Sequence, residues 1–280
     1  MQSNNPVLTR YEKPAKPGQS GFAYDEGVSA YTQAAAGGAG AADVNTAFQQ
    51  VTAGGGARLT INDVIVKTFV VFAITVVFAV VGWNVYTSMP WLLLVAMLAG
   101  LALGFVNALK KVPSPPLIML YAVFQGLMLG AISNAYNDLA LANQYEGIVL
   151  QAVIATMTTF GVMLTLYLTG VIKVTKKFQS VMMVALVSYL LIGLASFVAA
   201  LFGVGGGWGF YGIDGIGLLI CVVGVLIAAF FLLLDFEAIS QGIRMGAPER
   251  ESWRMAFGLL VTLIWLYLEF LRLLAIFSRN

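Results

Sequence analysis

Seven apolar stretches of about 20 residues follow one another along this chain, each long enough to cross a bilayer as a helix. They fall at residues 64–86, 91–109, 116–136, 147–168, 181–202, 216–239 and 258–277. The first connector, residues 87–90, is short enough to make its neighbours antiparallel, and Pro113, Pro115 and Pro116 break the chain ahead of the third run. The pattern predicts an all-α integral membrane protein of seven transmembrane helices over residues 58–280. Composition agrees: 60% of the residues are hydrophobic and 10% charged, against about 25% charged in a soluble domain.

Residues 1–57 differ in kind. They are rich in Ala and Gly, show no hydrophobic periodicity, and read as a disordered cytoplasmic tail. The tail carries no apolar core of a signal peptide, and Gln2 excludes N-myristoylation. Lys and Arg set the orientation. Arg58, Lys110, Lys111, Lys173, Lys176, Lys177, Arg244, Arg250 and Arg254 all fall on one side of the seven runs. The opposite connectors, near residues 87–90, 137–146 and 203–214, contain none. The asymmetry predicts an inner (plasma) membrane protein with its N-terminus cytoplasmic and its C-terminus outside. Asp138, Glu146 and Asp214 make the outer face acidic. That either concentrates cations or is the ordinary counterpart of positive charge inside.

Several function classes fall away. Histidine is absent, which removes His-based triads, HExxH zinc sites and rhomboid-type proteolysis. An aspartyl intramembrane protease needs Gly-x-Gly-Asp, which residues 212–215 do not match, and a retinal protein needs a Lys beyond Lys177. The protein therefore reads as a non-enzyme with no cofactor. A net charge of +2 argues against nucleic acid, and a single cysteine, Cys221, cannot form an internal disulfide. Gly100 and Gly104 in the second run and Gly126 and Gly130 in the third have the spacing that lets helices pack closely. The glycine run at 203–209 is an exterior loop without nucleotide-fingerprint context.

The chemistry concentrates in the last two runs. Glu269 and Arg272 lie inside the seventh, and an ionisable group at such depth is a functional-site hypothesis. Asp235 lies near the inner end of the sixth. If the sixth helix leaves the membrane near Ile243 and the seventh begins near Gly258, the two acids lie eight and eleven residues deep. Those depths, roughly 12 and 16 Å, put the carboxylates within one helical turn. Two carboxylates in one low-dielectric site cannot both ionise cheaply, so such a pair holds a proton, binds a cation weakly, or latches two helices. Calcium prefers six to eight oxygens, which makes the pair a transit site rather than a storage site. The alternative is that Asp235 pairs with Arg244 or Lys111 while Glu269 pairs with Arg272. Gln125 reads as a helix-to-helix bond and Lys67 as a snorkelling side chain.

Residues 121–126 (YAVFQG), 232–239 (LLLDFEAI) and 265–277 (WLYLEFLRLLAIF) are similar to the bacterial branch of the Bax inhibitor-1 (transmembrane Bax inhibitor motif) family. The resemblance runs from about Ile61 to the C-terminus and rests mainly on the last two helices. Asn5, Pro6 and Val7 ahead of the tail resemble one subgroup. It implies six helices around a central seventh and a pH-sensitive calcium leak governed by two acids, matching Asp235 and Glu269. A basic residue that engages the pair corresponds to Lys110 or Lys111. Glu in place of Asp at 269, Arg272 as an internal partner, and a long connector between the last helices depart from the family pattern. The resulting expectation is a cation leak, with calcium as the transported ion. The other reading is a non-conducting stress-response regulator that binds a membrane protease or another membrane protein.

Overall fold

The computed structural model describes residues 57–212 and 215–278. The chain divides into two units, Met1–Arg58 and Leu59–Asn280, and the second holds every helix described below. The expected disorder of the tail and the charge of Asp214 fall on residues outside the described ones, Ala57 excepted.

Seven helices follow in order: α1 (Ile61–Tyr86), α2 (Trp91–Leu109), α3 (Pro115–Ala142), α4 (Ile148–Leu168), α5 (Lys176–Leu201), α6 (Ile216–Arg244) and α7 (Glu251–Phe277). All seven are long and apolar enough to span a membrane. The predicted runs match α2 at both ends and α4 to within one residue, but fall short at the starts of α1, α5 and α7 and at the ends of α3 and α6, where polar residues extend the helices past the hydrophobic runs. At the start of α1, Thr60 Oγ1 accepts from the Asp63 N–H at 3.2 Å and Asp63 Oδ2 accepts from the Thr60 N–H at 3.0 Å, a reciprocal capping box. The Thr175 hydroxyl caps α5 by accepting from the Phe178 N–H, which starts that helix five residues ahead of the apolar run. Helix α3 continues to Ala142, so Asp138 rides on the helix rather than in a loop.

The connector between α6 and α7 is the main correction. Expected to be long, it spans only residues 245–250. Gly246 sits at φ +65°, its N–H bonds the Ile243 carbonyl, and the Ala247 N–H returns to the Gly242 carbonyl at 3.0 Å. That left-handed stop closes α6 within two residues. Helix α7 then begins at Glu251, seven residues before the apolar run, because its first-turn polar groups find partners. Arg254 Nε donates to Glu251 Oε2 at 2.8 Å, and Lys67 Nζ bonds both Glu249 Oε1 at 2.9 Å and Ser252 Oγ at 2.7 Å.

Small residues let α1 and α3 approach most closely. A Cβ on Gly126 would stand 2.5 Å from the Thr75 carbonyl oxygen, and one on Gly130 would overlap the Ala79 backbone. Gly100 and Gly104 of α2 instead receive the side chains of Gln125 and Tyr121 from α3. Helix α7 packs on α1, α3, α4 and α6. It carries Leu260, Leu266 and Leu271 into the interior, where Val71, Ile118 and Leu232 are also fully covered. Helix α2 lies against α3, and α5 meets α7 through the side chains of Tyr189 and Trp265. The outward faces of α1, α2 and α5 are apolar and exposed, as lipid-facing helices require.

Candidate functional site

Helices α6 and α7 run antiparallel in a register that two glycines fix. A Cβ on Gly258 of α7 would lie 3.6 Å from Asp235 Oδ1 of α6, and one on Gly224 of α6 would lie 2.8 Å from Glu269 Oε2 of α7. Asp235 is therefore level with Gly258, and Glu269 with Gly224. Each helix places eleven residues between those levels, which separates the two acids by roughly 16 Å along the bundle. The expected Asp235–Glu269 pair does not form in this structure. The reason is the early start of α7, whose seven extra residues move Glu269 about 10 Å further from the connector than the apolar run suggests.

Glu269 has its own shell. Its side chain is 3% exposed and forms an ion pair with Arg272 Nη1, three residues on, at 3.4 Å from both carboxylate oxygens. Oε1 also accepts from Tyr189 OH at 2.8 Å and from Trp265 Nε1 at 3.1 Å. Trp265, Glu269 and Arg272 share one face of α7 through i, i+4 and i, i+3 spacing. Tyr189 comes from α5, so the carboxylate ties α5 to α7. Tyr211, from a short 3₁₀ turn (Gly209–Gly212), donates to Tyr189 OH at 3.2 Å and lays its ring 4.4 Å from the Arg272 guanidinium carbon. Gly209 lets that loop down onto α5: a Cβ there would overlap Ser196, whose hydroxyl accepts from the Phe210 N–H at 3.0 Å. The glycine run thus brings the following Tyr211 onto Arg272. Only glycine makes that descent without strain, since Gly205, Gly206, Gly207 and Gly209 all sit at positive φ.

Asp235 has almost nothing. It faces Gly258 and the Thr262 hydroxyl, which itself donates to the Gly258 carbonyl at 3.3 Å. Asp235 Oδ2 is sealed within the protein and meets no donor. Both cationic partners weighed for it are elsewhere. Arg244 pairs with Glu237 at 2.7 Å, which also accepts from Tyr167 OH at 2.9 Å, and Lys111 is exposed, offering its carbonyl to Arg254. Lys110 is exposed as well, and neither lysine forms an ion pair among the described residues. Arg272 alone of the proposed charge partners engages an acid of the site.

Gln125 lies against Gly100 with its Oε1 buried and unpartnered, so the expected helix-to-helix bond is not made through that oxygen. Lys67 reaches the connector between α6 and α7, on the side expected to face the cytoplasm, where its ammonium is held by Glu249 and Ser252 and lies 5.7 Å from the Trp253 ring. Among the described residues no group of three or more Asp, Glu, Cys or His lies close enough to hold a metal ion. Any cation at Asp235 or Glu269 would therefore complete its shell from carbonyls or water.

Seven spanning helices, with one acid neutralised by arginine and a second left bare between the last two, define a multi-pass membrane protein with an internal carboxyl site. The chain belongs to the Bax inhibitor 1 like family, whose model matches residues 5–279. The match reaches further toward the N-terminus than the helical motifs do. No curated protein matches the chain.

Proposed function

We propose that this Bax inhibitor 1-like protein is a cation leak, with calcium as the physiological ion, controlled by Asp235 and Glu269 acting in series rather than as a pair. The observation that carries the reading is the bare carboxyl of Asp235, an acceptor sealed between two spanning helices with no donor on Oδ2. A charge at that depth costs several kcal/mol unless compensated. The residues around it, Gly258 and Thr262, offer space and a hydroxyl rather than a cation. Such a position suits a partner that comes and goes. Glu269 occupies the second level and is held by Arg272, Tyr189 and Trp265, an arrangement read as closed. Release of Glu269 from Arg272 would place a second carboxylate on the same path.

Protonation cancels the charge that attracts a cation. A leak resting on these acids weakens as pH falls and strengthens as pH rises. The orientation proposed from charge asymmetry, N-terminus cytoplasmic in the inner membrane, puts Asp235 nearer the cytoplasm and Glu269 nearer the outside. No catalytic role is assigned. The test is calcium uptake into liposomes holding the full chain, compared with Asp235→Asn; equal uptake by protein and protein-free vesicles would overturn the reading.

One observation favours the alternative of a non-conducting regulator that binds a membrane protease or another membrane protein. The shell of Glu269 is complete, as expected of a structural latch between α5 and α7. That reading predicts no flux at any pH, with the same stability effects.

A further inference from the structure

Helices α1 and α4 both pack against α3 and α7 but make no close approach to each other. The gap is a cleft of about 460 Å³, walled by α1 and α4 and floored by α3 and α7. It is about three times the ~150 Å³ of an apolar cavity that stays dry and takes up benzene or xenon. Along α1 it extends from Phe72 to Asn84, roughly 18 Å.

The lining favours an apolar occupant over water. Its hydroxyls are engaged within the protein: Thr75 donates to the Val71 carbonyl at 2.9 Å, Thr156 to the Ala152 carbonyl at 2.7 Å, and Ser133 and Tyr267 bond each other at 2.6 Å. Everything else along its length is apolar apart from Trp83 and Asn84 at one end, close to the last residue of α1. A water needs two to four polar partners, and the deep cleft offers only the leftover capacity of four hydroxyls already bonded within the protein. Because the side between α1 and α4 is open at membrane depth, what meets it there is lipid.

We propose that this cleft is a lipid site, holding one acyl chain of a phospholipid from the leaflet in which α1 ends. The chain inserts sideways between Val76 of α1 and Val153 of α4 and lies over Leu260 and Leu263 of α7. Trp83 and Asn84 stand at headgroup level. The neighbouring connectors, residues 87–90 and 143–147, carry no Lys or Arg and one acid, Glu146, so the headgroup selected is zwitterionic rather than anionic. This site is separate from the carboxyls and does not rest on the leak.

The test uses the full chain in phosphatidylcholine vesicles containing a trace of phosphatidylcholine with a diazirine in its acyl chain. Illumination and peptide mapping then locate the adducts. Leu260 and Leu263 are 1% and 7% exposed and are reached by lipid only through the cleft, whereas Val184 of α5 is 67% exposed and reports ordinary lipid contact. The expected result is adducts on both helices. In Val76→Trp/Val153→Trp, which fills the mouth, labelling of α7 falls about tenfold, as for a loss of ~1.4 kcal/mol of binding, while Val184 labels as before. Wild-type labelling confined to α5 would overturn the proposal without reference to any variant. So would rapid reaction of Thr156→Cys with a water-soluble thiol reagent, which means a hydrated cleft, or crosslinks joining two copies through α1 and α4.

Discussion

Replacing Arg272 with methionine keeps the unbranched apolar stem of the side chain and removes the cation that pairs with Glu269 among the described residues. The carboxylate stays 3% exposed and retains Tyr189 and Trp265 as donors, but its charge is no longer neutralised. Breaking a buried ion pair from one side costs about 3–5 kcal/mol. Arg272 is itself 30% exposed, and two neutral donors remain, so the low end applies: about 3 kcal/mol. For a helical unit of this size each kcal/mol lowers Tm by about 2–4 °C, so the expected drop is about 6–12 °C. The assay is a thermal melt in detergent micelles followed by intrinsic fluorescence. Adding Glu269→Gln removes the stranded charge, keeps the shape, and should recover most of the loss. A melt unchanged by Arg272→Met, or a double variant no more stable than the single, would refute the argument that Arg272 neutralises Glu269.

Tyr189→Phe removes a donor to a charged acceptor and should cost about 1.5–3 kcal/mol in the same melt, with Tyr211 losing its partner as well. Gly126→Val should push α1 from α3, since its Cβ would meet the Thr75 oxygen at 2.5 Å and Phe78 Cβ at 2.8 Å; a loss of about 1–3 kcal/mol is expected, and a neutral melt would mean the helices are less tightly held than the structure has them. Reporter fusions at Gln2 and Asn280 should place the N-terminus in the cytoplasm and the C-terminus outside, and finding both on one side would overturn the orientation. Because Asp235 and Glu269 stand roughly 16 Å apart, beyond the distance at which substitutions usually couple, the effects of Asp235→Asn and Glu269→Gln on flux should combine additively on a logarithmic scale; a double variant no different from either single would bring back the shared-proton pair.

The seven helices were legible because hydropathy reports what lies in lipid, and the short connectors leave few ways to arrange them. Gly126 and Gly130 were legible for a related reason, since only a close backbone approach rewards small residues at that spacing. The ends of α6 and α7 were not. The polar residues between Glu251 and Phe257 look like loop by hydropathy, yet they form helix because Arg254, Glu249 and Ser252 find partners there, Lys67 from α1 among them. That single misplacement moved Glu269 by about two turns and created a pair that the structure does not make. Arg272 and Trp265 were within reach of sequence reasoning, being on the same helix face as Glu269. Tyr189 and the descent of Tyr211 were not, because nothing local links residues 80 positions apart to one carboxylate.

The most direct test of the series arrangement is calcium flux into liposomes holding the wild-type chain, measured across acid to mildly alkaline pH beside Asp235→Asn. Wild-type flux should rise with pH, and Asp235→Asn should give a smaller and flatter response with its melt intact. Wild-type flux no greater than that of empty vesicles, or an undiminished pH response after Asp235 loses its charge, would contradict it.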